Sequence, residues 1–388
     1  MIGVGTGARS ADSTGRLTER EAWVALSLVP GIGQAGFARL VRGHGSASAV
    51  WRAGPGALSG LRLPDEVRGR AVELLSAGDP RSLARGIASL TATSGGRVVT
   101  ELDEEYPPAL LTLEPRPPVL YVAGDGAALR ERAVAVVGTR AASGYGLSTA
   151  TELGQELGSV GVPVVSGLAL GIDGAAHRGA LAAGGRTVAI LPSPLDRVYP
   201  PRHRQLAREI VAGGGALVTE LPSGASVGRP DFARRNRIIA GLAQAVVVVE
   251  APDRSGALLT AAAALSVGRE LYAVPGPIDA RASRGCNRLI ADHEALMVTS
   301  IGALMGQVGV AIGARPPAIA ALSEVEGQLL RHLLERSGSI EELVDRTGQS
   351  AAAVASGLTL LEARGLVNPF GGATFHPTLA AKRLAKVV

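Results

Sequence analysis

The sequence predicts an α/β fold built on a doubly wound, mainly parallel β-sheet, and three observations support this prediction. Short apolar runs rich in valine and alanine recur through the middle of the chain. Helical stretches separate these runs at a repeat of roughly 25 to 30 residues, which is the pattern of βαβ units. Turns containing glycine or proline follow several of the runs, as expected where a strand ends. The candidate strands are residues 133–137, 163–166, 187–191, 216–219, 245–250 and 271–274.

The first of these strands leads into the segment V-A-V-V-G-T-R-A-A-S-G-Y-G, residues 134–146. The apolar run predicts a buried strand that ends at Gly138, and a helix is predicted from about Tyr145 to Leu157. A helix N-terminus in this position favours an anion, because its first N–H groups lack partners and its dipole attracts negative charge. Arg140 lies in the turn, where its guanidinium can donate to a phosphate. For this segment alone, an ordinary turn with a surface arginine is an equally good interpretation.

The turns after the other candidate strands add basic residues at the same edge of the sheet. Ligands of doubly wound sheets bind outside the carboxyl ends of the strands, so these turns are where a site is expected. A cluster of arginines there suits a polyphosphate or a nucleic-acid backbone, although a solvated rim of arginines stays a possible interpretation. The arginines that the turns bring to this edge are Arg140, Arg202, Arg204, Arg235 and Arg237.

The regions on either side of the sheet have different patterns. Apolar residues at helical spacing precede Pro30-Gly31-Ile32-Gly33, which resembles a helix-hairpin-helix turn whose amides can contact a phosphate. Simple helix packing explains that turn at least as well. The proline-rich segment 106–124 predicts a connector without a helix along the edge of the next domain. Near the C-terminus, three helical stretches and a short hairpin resemble a winged helix.

The predicted recognition-type helix of that winged helix, residues 350–364, carries little basic charge, so we favour a protein-contact role over DNA reading. The predicted organisation has five parts. They are a disordered tail at 1–16, a helical domain resembling SAM or helix-hairpin-helix modules at 17–95, the sheet domain at 96–310, a linker at 311–320 and the winged-helix-like domain at 321–388.

Composition limits the classes of function. The net charge of +5 is small for 388 residues, so it is only a modest indication of nucleic-acid binding. Aromatic residues make up 3% of the chain, which argues against a surface that binds single strands mainly by stacking many bases. The single cysteine, Cys286, excludes an internal disulfide and a cysteine-cluster metal site. No apolar run approaches the length of a membrane span.

Motifs exclude further classes. The turn after Val137 is not G-x-G-x-x-G and the chain has no P-loop, which counts against a dinucleotide oxidoreductase and a P-loop ATPase. Asp173 is expected to cap the helix that runs through His177. These two residues share a helix face but lack a third metal ligand, so a structural role is favoured for His177. Glu220, at a strand end, is more easily explained as a buried hydrogen-bonded carboxylate than as a catalytic residue. We expect no metal, no cofactor and no catalytic residue.

Together, a set of segments resembles the DNA-processing protein A family, also called DprA or Smf. The matches run in the family's order and cover the whole central domain. They are Y-P-P-A-L…P-P-V-L-Y (106–121), V-A-V-V-G-T-R-A-A-S-G-Y-G (134–146), V-V-S-G-L-A-L-G-I-D-G-A-A-H-R-G-A-L (164–181), L-D-R-V-Y-P (195–200), F-A-R-R-N-R-I-I-A-G-L (232–242), R-S-G-A-L-L-T (254–260), V-P-G (274–276) and G-C-N-R-L-I (285–290).

The resemblance implies a cytoplasmic, non-catalytic protein that binds single-stranded DNA and dimerises through a Rossmann-like domain. It further implies that the protein loads the RecA recombinase onto incoming strands during natural transformation. Carried onto this sequence, the resemblance implies a DNA phosphate pocket, with Arg202 as a looser match than the others. Its residues are Gly138, Thr139, Arg140, Ser143, Ser166, Gly167, Arg202, Arg235, Asn236, Arg237, Ser255, Gly256 and Thr260.

The chain departs from the family pattern at two places. Pro192-Ser193-Pro194 replaces a glycine-flanked turn, and because proline lacks an N–H, this part of the pocket is expected to be reshaped. Thr219 replaces the usual serine. Two other functions stay open. One is a nucleotide-processing hydrolase similar to nucleoside-monophosphate phosphoribohydrolases, although their P-G-G-x-G-T turn is absent here. The other is a recombination scaffold whose DNA binding is incidental.

Overall fold

The structure, a computed structural model, describes residues 17–309, 322–364, 366–370, 374–378 and 381. The predicted tail at 1–16 and linker at 311–320 lie outside the described residues. The chain divides into two compact units, Met1–Ile312 and Gly313–Val388.

The first unit is built on one large sheet. Its strands are β1 Gly96–Thr100, β2 Val119–Gly124, β3 Ala133–Val137, β4 Val164–Ser166, β5 Thr187–Ile190, β6 Ala216–Thr219, β7 Ala243–Val248, β8 Glu270–Ala273 and β9 Leu296–Met297. Within the described residues their order is β1-β2-β6-β5-β4-β3-β7-β8-β9. Strands β3 to β9 pair in parallel, whereas β2 pairs antiparallel with both β1 and β6. The predicted doubly wound, mainly parallel sheet is confirmed.

The six predicted strands all form, with ends that differ by at most two residues. Three strands were not predicted: β1, β2 and β9. The segment 106–124 was expected to follow the edge of the domain, but its last six residues are β2, which is paired on both sides. Proline disfavours a helix interior and removes a ladder hydrogen bond only at its own position, and Pro118 is the last proline before β2.

Twelve helices of the described residues surround the sheet. They are α1 Glu19–Ser27, α2 Gln34–His44, α3 Ala47–Ala53, α4 Asp65–Ala77, α5 Pro80–Ala92, α6 Gly144–Ser159, α7 Ile172–Ala182, α8 Arg204–Ala212, α9 Arg229–Leu242, α10 Gly256–Ser266, α11 Arg284–Ala291 and α12 Ile301–Gln307. None of them is long and apolar enough to cross a membrane.

Helices α1 to α5 form the predicted N-terminal helical region, but they share a buried hydrophobic cluster with the sheet. Tyr121 of β2 lies in the same cluster as Trp23 of α1 and Leu58, whereas its neighbours Leu120 and Val122 belong to the core on the opposite face. This alternation follows from the two-residue period of a strand. The boundary predicted at residue 95 therefore does not separate two compact units.

The order of the sheet creates a crevice beside β3. The chain leaves β3 and adds β4, β5 and β6 on one side, then returns to place β7 and β8 on the other. In doubly wound sheets, ligands bind at the carboxyl ends of the strands where the direction of winding changes. In this fold that place lies between the ends of β3 and β7, at Val137 and Val248.

The second unit has the winged-helix arrangement that the sequence predicted. Its elements are α13 Glu324–Glu335, β10 Gly338–Ser339, α14 Ile340–Thr347, α15 Ala351–Ala363, β11 Val367–Phe370 and β12 Thr374–Pro377. The strands form a small sheet in the order β10-β12-β11. Leu329, Leu343 and Leu358 hold the three helices together in one buried cluster.

Candidate nucleic-acid interface

An open cleft of about 470 Å³ lies at the carboxyl ends of β3 and β7. Three segments form its walls: the turn after β3, the first part of α9, and the turn after β7 with the start of α10. Eight of the predicted site residues line it, namely Gly138, Thr139, Arg140, Arg235, Asn236, Ser255, Gly256 and Thr260. The winding of the sheet thus brings together residues more than 100 positions apart in the sequence.

Three exposed arginines lie along the cleft: Arg140, Arg229 and Arg254. None of them is within salt-bridge distance of a carboxylate of the described residues. Of these three arginines, only Arg140 belongs to the predicted site. Arg254 is the first residue of the matched segment 254–260, and Arg229, which begins α9, lies three residues before the matched segment 232–242. Their positive charge makes the cleft suited to an anion.

The N-terminus of α10 opens into the same cleft. Ser255 is the N-cap, and its hydroxyl accepts the Ala257 N–H at 3.2 Å. Gly256 occupies the first helical position, and its N–H has no hydrogen-bond partner among the described residues. Gly256 is exposed, and a side-chain carbon added to it would meet nothing within 4 Å. An anion in the cleft can therefore accept from this amide in the favourable field of the helix dipole.

The N-terminus of α6 is the helix end at which the sequence predicts an anion. In the structure, a carboxylate of the protein itself occupies it. The Glu250 side chain accepts the Ser143 N–H at 2.9 Å and the Ser143 hydroxyl. The same hydroxyl accepts the Gly146 N–H at 3.1 Å, which makes Ser143 the N-cap. Glu250 is only 3% exposed, so it already neutralises this helix end from inside the fold. Ser143 does not line the cleft.

Two buried ionisable side chains, Asp173 and Arg235, lie at the floor of the cleft. Asp173 accepts the N–H groups of Gly167 and Ala169 at 3.0 and 3.3 Å. It lies in the first turn of α7 rather than at the N-cap, which is Gly171. Asp173 therefore fixes the loop before the helix instead of capping it as predicted.

Arg235 packs against this loop from α9. It donates to the carbonyl oxygens of Gly167 and Ile190, and to Asn236 Oδ1 at 3.1 Å. Burial raises the pKa of Asp173, and the charge of Arg235 opposes that rise. Burial also lowers the pKa of Arg235 to about 10, and the charge of Asp173 opposes that fall. Arg235 stays cationic at neutral pH, but its donors are used to hold the walls of the cleft together.

Besides Ser143, four predicted site residues do not line the cleft. Ser166 is fully buried and its hydroxyl donates to the Val136 carbonyl oxygen at 2.6 Å. Gly167 is buried against the Arg235 guanidinium and lines a small depression beside the cleft. Arg237 pairs with Glu220 at 2.7 Å and donates to the Pro115 carbonyl oxygen at 2.6 Å. Arg202 is exposed and does not line the cleft.

Glu220 and His177 are both hydrogen-bonded within the fold, which indicates structural roles. Glu220 accepts from Arg237 and from Gln34, and burial raises its pKa while Arg237 opposes that rise. His177 Nδ1 lies 2.7 Å from the Thr187 hydroxyl, and burial lowers the pKa of the imidazole to about 3. No cluster of three or more metal-ligating side chains occurs in the part of the chain that the structure describes.

Two aromatic rings lie beside the cleft, and no sequence pattern indicated that they pair. Tyr199 and Phe232 meet edge to face with their centroids 5.5 Å apart, and Tyr199 is 43% exposed. The Arg140 guanidinium carbon lies 5.2 Å from the centre of the Phe232 ring. This cation–π contact holds the arginine at the mouth of the cleft. Aromatic content is an average over the whole chain, so it does not indicate that two of the rings lie at the site.

Comparison with known proteins identifies the family. Residues 97–309 match the family model for DNA recombination-mediator protein A. The chain belongs to this family. Residues 313–373 match the model of the DprA winged helix domain, in agreement with the fold of the second unit.

Relatives in the DNA recombination-mediator protein A family cover most of the chain. It is 40% identical over 365 residues to a protein of Mycobacterium tuberculosis described as a putative DNA processing protein DprA, covering 89% of this chain and 91% of the relative. The Streptococcus pneumoniae DprA structure has a TM-score of 0.62 at 29% identity and covers 75% of this chain and 98% of the other. A DNA processing protein A structure from Helicobacter pylori, described by its unique single-stranded DNA binding mode, has a TM-score of 0.51 at 28% identity. That match covers 55% of this chain and 97% of the other.

Proposed function

We propose that this protein binds single-stranded DNA through the cleft between β3 and β7, and acts as a non-catalytic mediator that delivers the strand to a RecA recombinase. The observation that carries the proposal is the convergence of three exposed arginines, none of them paired with a described carboxylate, with an open helix N-terminus at the place where the sheet winds in both directions. The Helicobacter pylori relative, with its single-stranded DNA binding mode, supports the same assignment.

The backbone of the strand supplies the anion. In our proposal, a phosphate accepts hydrogen bonds from the Gly256 N–H and the Arg140 guanidinium, and Arg254 neutralises the same or the next phosphate. Both Gly256 and Arg140 are already in place, because α10 fixes Gly256 and the Phe232 ring supports Arg140. Little ordering of the protein is therefore needed on binding.

The aromatic pair favours a single strand over a duplex. Bases stacked inside a duplex cannot reach Tyr199 and Phe232, whereas an unpaired base next to the bound phosphate can stack against an exposed ring. Such stacking tolerates any base, so the proposal includes little sequence preference.

The homodimer, the RecA partner, a cytoplasmic location and a role in natural transformation are part of the same proposal and rest on the family resemblance. One structural feature supports the homodimer. Strand β9 is at the edge of the sheet, and its residues Leu296 and Met297 are 53% and 47% exposed. An edge strand with exposed apolar side chains is suited to pairing with another chain.

We expect Arg140→Ala to lower the affinity for a fluorescent oligothymidylate by about 10- to 100-fold, because a hydrogen bond to a charged group contributes about 1.5–3 kcal/mol. The measurement is fluorescence anisotropy across a salt series. The slope of log K against log salt should become shallower by about 0.7, which is the contribution of each neutralised phosphate in a single strand.

Arg130→Ala is the matched control. Arg130 is also exposed, but it lies just before β3 and so at the amino end of the strands, away from the cleft. Its replacement removes the same charge and should leave the affinity and the salt slope unchanged. Equal affinity losses in the two variants would show that overall charge, rather than the cleft, determines DNA binding.

A further inference from the structure

A second basic depression continues from the cleft. It is lined by Pro252, Asp253, Arg254, Arg281 and Arg284, and its volume is also about 470 Å³. Pro252 and Arg254 line both depressions, so the two share a wall and form a continuous surface. Neither the sequence patterns nor the predicted phosphate pocket included Arg281 or Arg284.

The arginines of this second depression are free to bind. Arg254, Arg281 and Arg284 are all exposed, and no hydrogen bond or ion pair to the described residues engages their side chains. The one acidic residue in the lining, Asp253, lies 3.5 Å from Arg288, which offsets its charge. The depression therefore presents a net positive surface.

We propose that single-stranded DNA leaves the cleft over Arg254 and continues onto Arg281 and Arg284, so that the bound strand spans both depressions. This inference rests on the proposed function of the cleft and gives the strand a direction across the surface, towards α11. The contacts there are with phosphates, because the five lining residues include no aromatic ring on which a base could stack.

Geometry favours a continuous strand over a separate small anion. The second depression is open, and its cations lie on two segments, the turn after β7 and residues 281–284, which lead into α11. No buried polar group among its lining residues closes around a single phosphate. A row of exposed cations that begins at a binding cleft is the arrangement of a groove that follows a nucleic-acid backbone.

The test compares two oligothymidylates, one of about 6 nucleotides, which fills the cleft, and one of about 20, which extends beyond it. The variant is Arg281→Ala combined with Arg284→Ala. Both side chains are exposed, so the fold should survive, and thermal melting checks this. Arg130→Ala combined with Arg132→Ala is the control, since it removes the same two charges from exposed residues at the amino ends of the strands. Arg132 donates to Gln244 Oε1 at 2.8 Å, so thermal melting checks this variant as well.

We expect the Arg281/Arg284 variant to bind the short oligonucleotide as the wild type does, and the long one about 25-fold more weakly in 0.1 M salt. Each of the two phosphates that the variant no longer neutralises contributes about 0.7 log units of affinity at this salt concentration, and the salt slope should fall by about 1.4 for the long oligonucleotide only. Unchanged binding of the long oligonucleotide would overturn the inference. Equal losses for both lengths would also overturn it, because the arginines would then belong to the cleft. Failure of the wild type to bind either oligonucleotide would instead refute the proposed function itself.

Discussion

Replacing Arg235 with alanine is expected to lower the free energy of unfolding of the first unit by about 3–5 kcal/mol. The substitution empties a buried position and removes the nearby positive charge that opposes the rise in the pKa of Asp173, and each lost hydrogen bond to a charged group contributes about 1.5–3 kcal/mol. It also removes the donors to the carbonyl oxygens of Gly167 and Ile190. Thermal melting should show a decrease of roughly 10 °C.

Arg140→Ala provides the comparison, because Arg140 is exposed and should contribute little to stability. A double-mutant cycle with Asp173→Asn separates the causes. Since asparagine carries no charge, adding Asp173→Asn to Arg235→Ala should cost much less than the two single changes together. If Arg235→Ala melted like the wild type and lost only DNA binding, Arg235 would be a phosphate ligand rather than a support of the floor.

A similarly large loss of stability is expected for Gly179→Ala, at the contact between α6 and α7. An added methyl group would collide with the Thr151 carbonyl oxygen of α6 and lie 3.1 Å from the Gln155 nitrogen. Gly154 and Gly158 of α6 meet the backbone of α7 in the same way, so the two helices approach each other closely along their length. Because the neighbouring atoms are backbone and cannot rotate away, we expect a cost of about 3 kcal/mol, at the upper end for overpacking.

The matched control is Gly144→Ala, in the first turn of α6, where an added methyl group meets nothing within 4 Å. Alanine is the better helix former, so this variant should be as stable as the wild type or slightly more stable. Chemical denaturation followed by circular dichroism measures both variants. Equal stability of Gly179→Ala and Gly144→Ala would mean that the two helices can separate without cost.

The sequence allowed the central sheet to be predicted, because parallel strands buried on both faces appear as continuous apolar runs. Strand β3 was predicted with its observed ends, and β7 to within two residues. The edge strands were harder to predict. Strand β9 has only two residues, and β2 follows directly after a series of prolines, so neither carries a periodic signal of its own.

Eight of the predicted site residues line one cleft, but the contacts of the others could not be predicted from the sequence. Sequence reasoning located the turns after β3 and β7, because the rule on strand ends depends only on the order of elements. It could not show that Glu250, distant in sequence, occupies the N-terminus of α6, or that Arg237 is paired with Glu220. Sequence reasoning treated all arginines near the strand ends as candidate phosphate ligands. In the structure, Arg140 and Arg254 are exposed, whereas Arg235 is buried. Whether an arginine is free depends on packing, which a local pattern does not contain.

The central claim, that a single strand lies in the cleft between β3 and β7, is tested most directly by site-specific photo-cross-linking. p-Benzoylphenylalanine would replace either Ala233, which is exposed and lines the cleft, or Ala182, which is exposed at the C-terminal end of α7 near the opposite edge of the sheet. With a radiolabelled oligothymidylate, we expect strong cross-linking from position 233 and none from position 182. Equal cross-linking from the two positions, or cross-linking from position 182 alone, would contradict it.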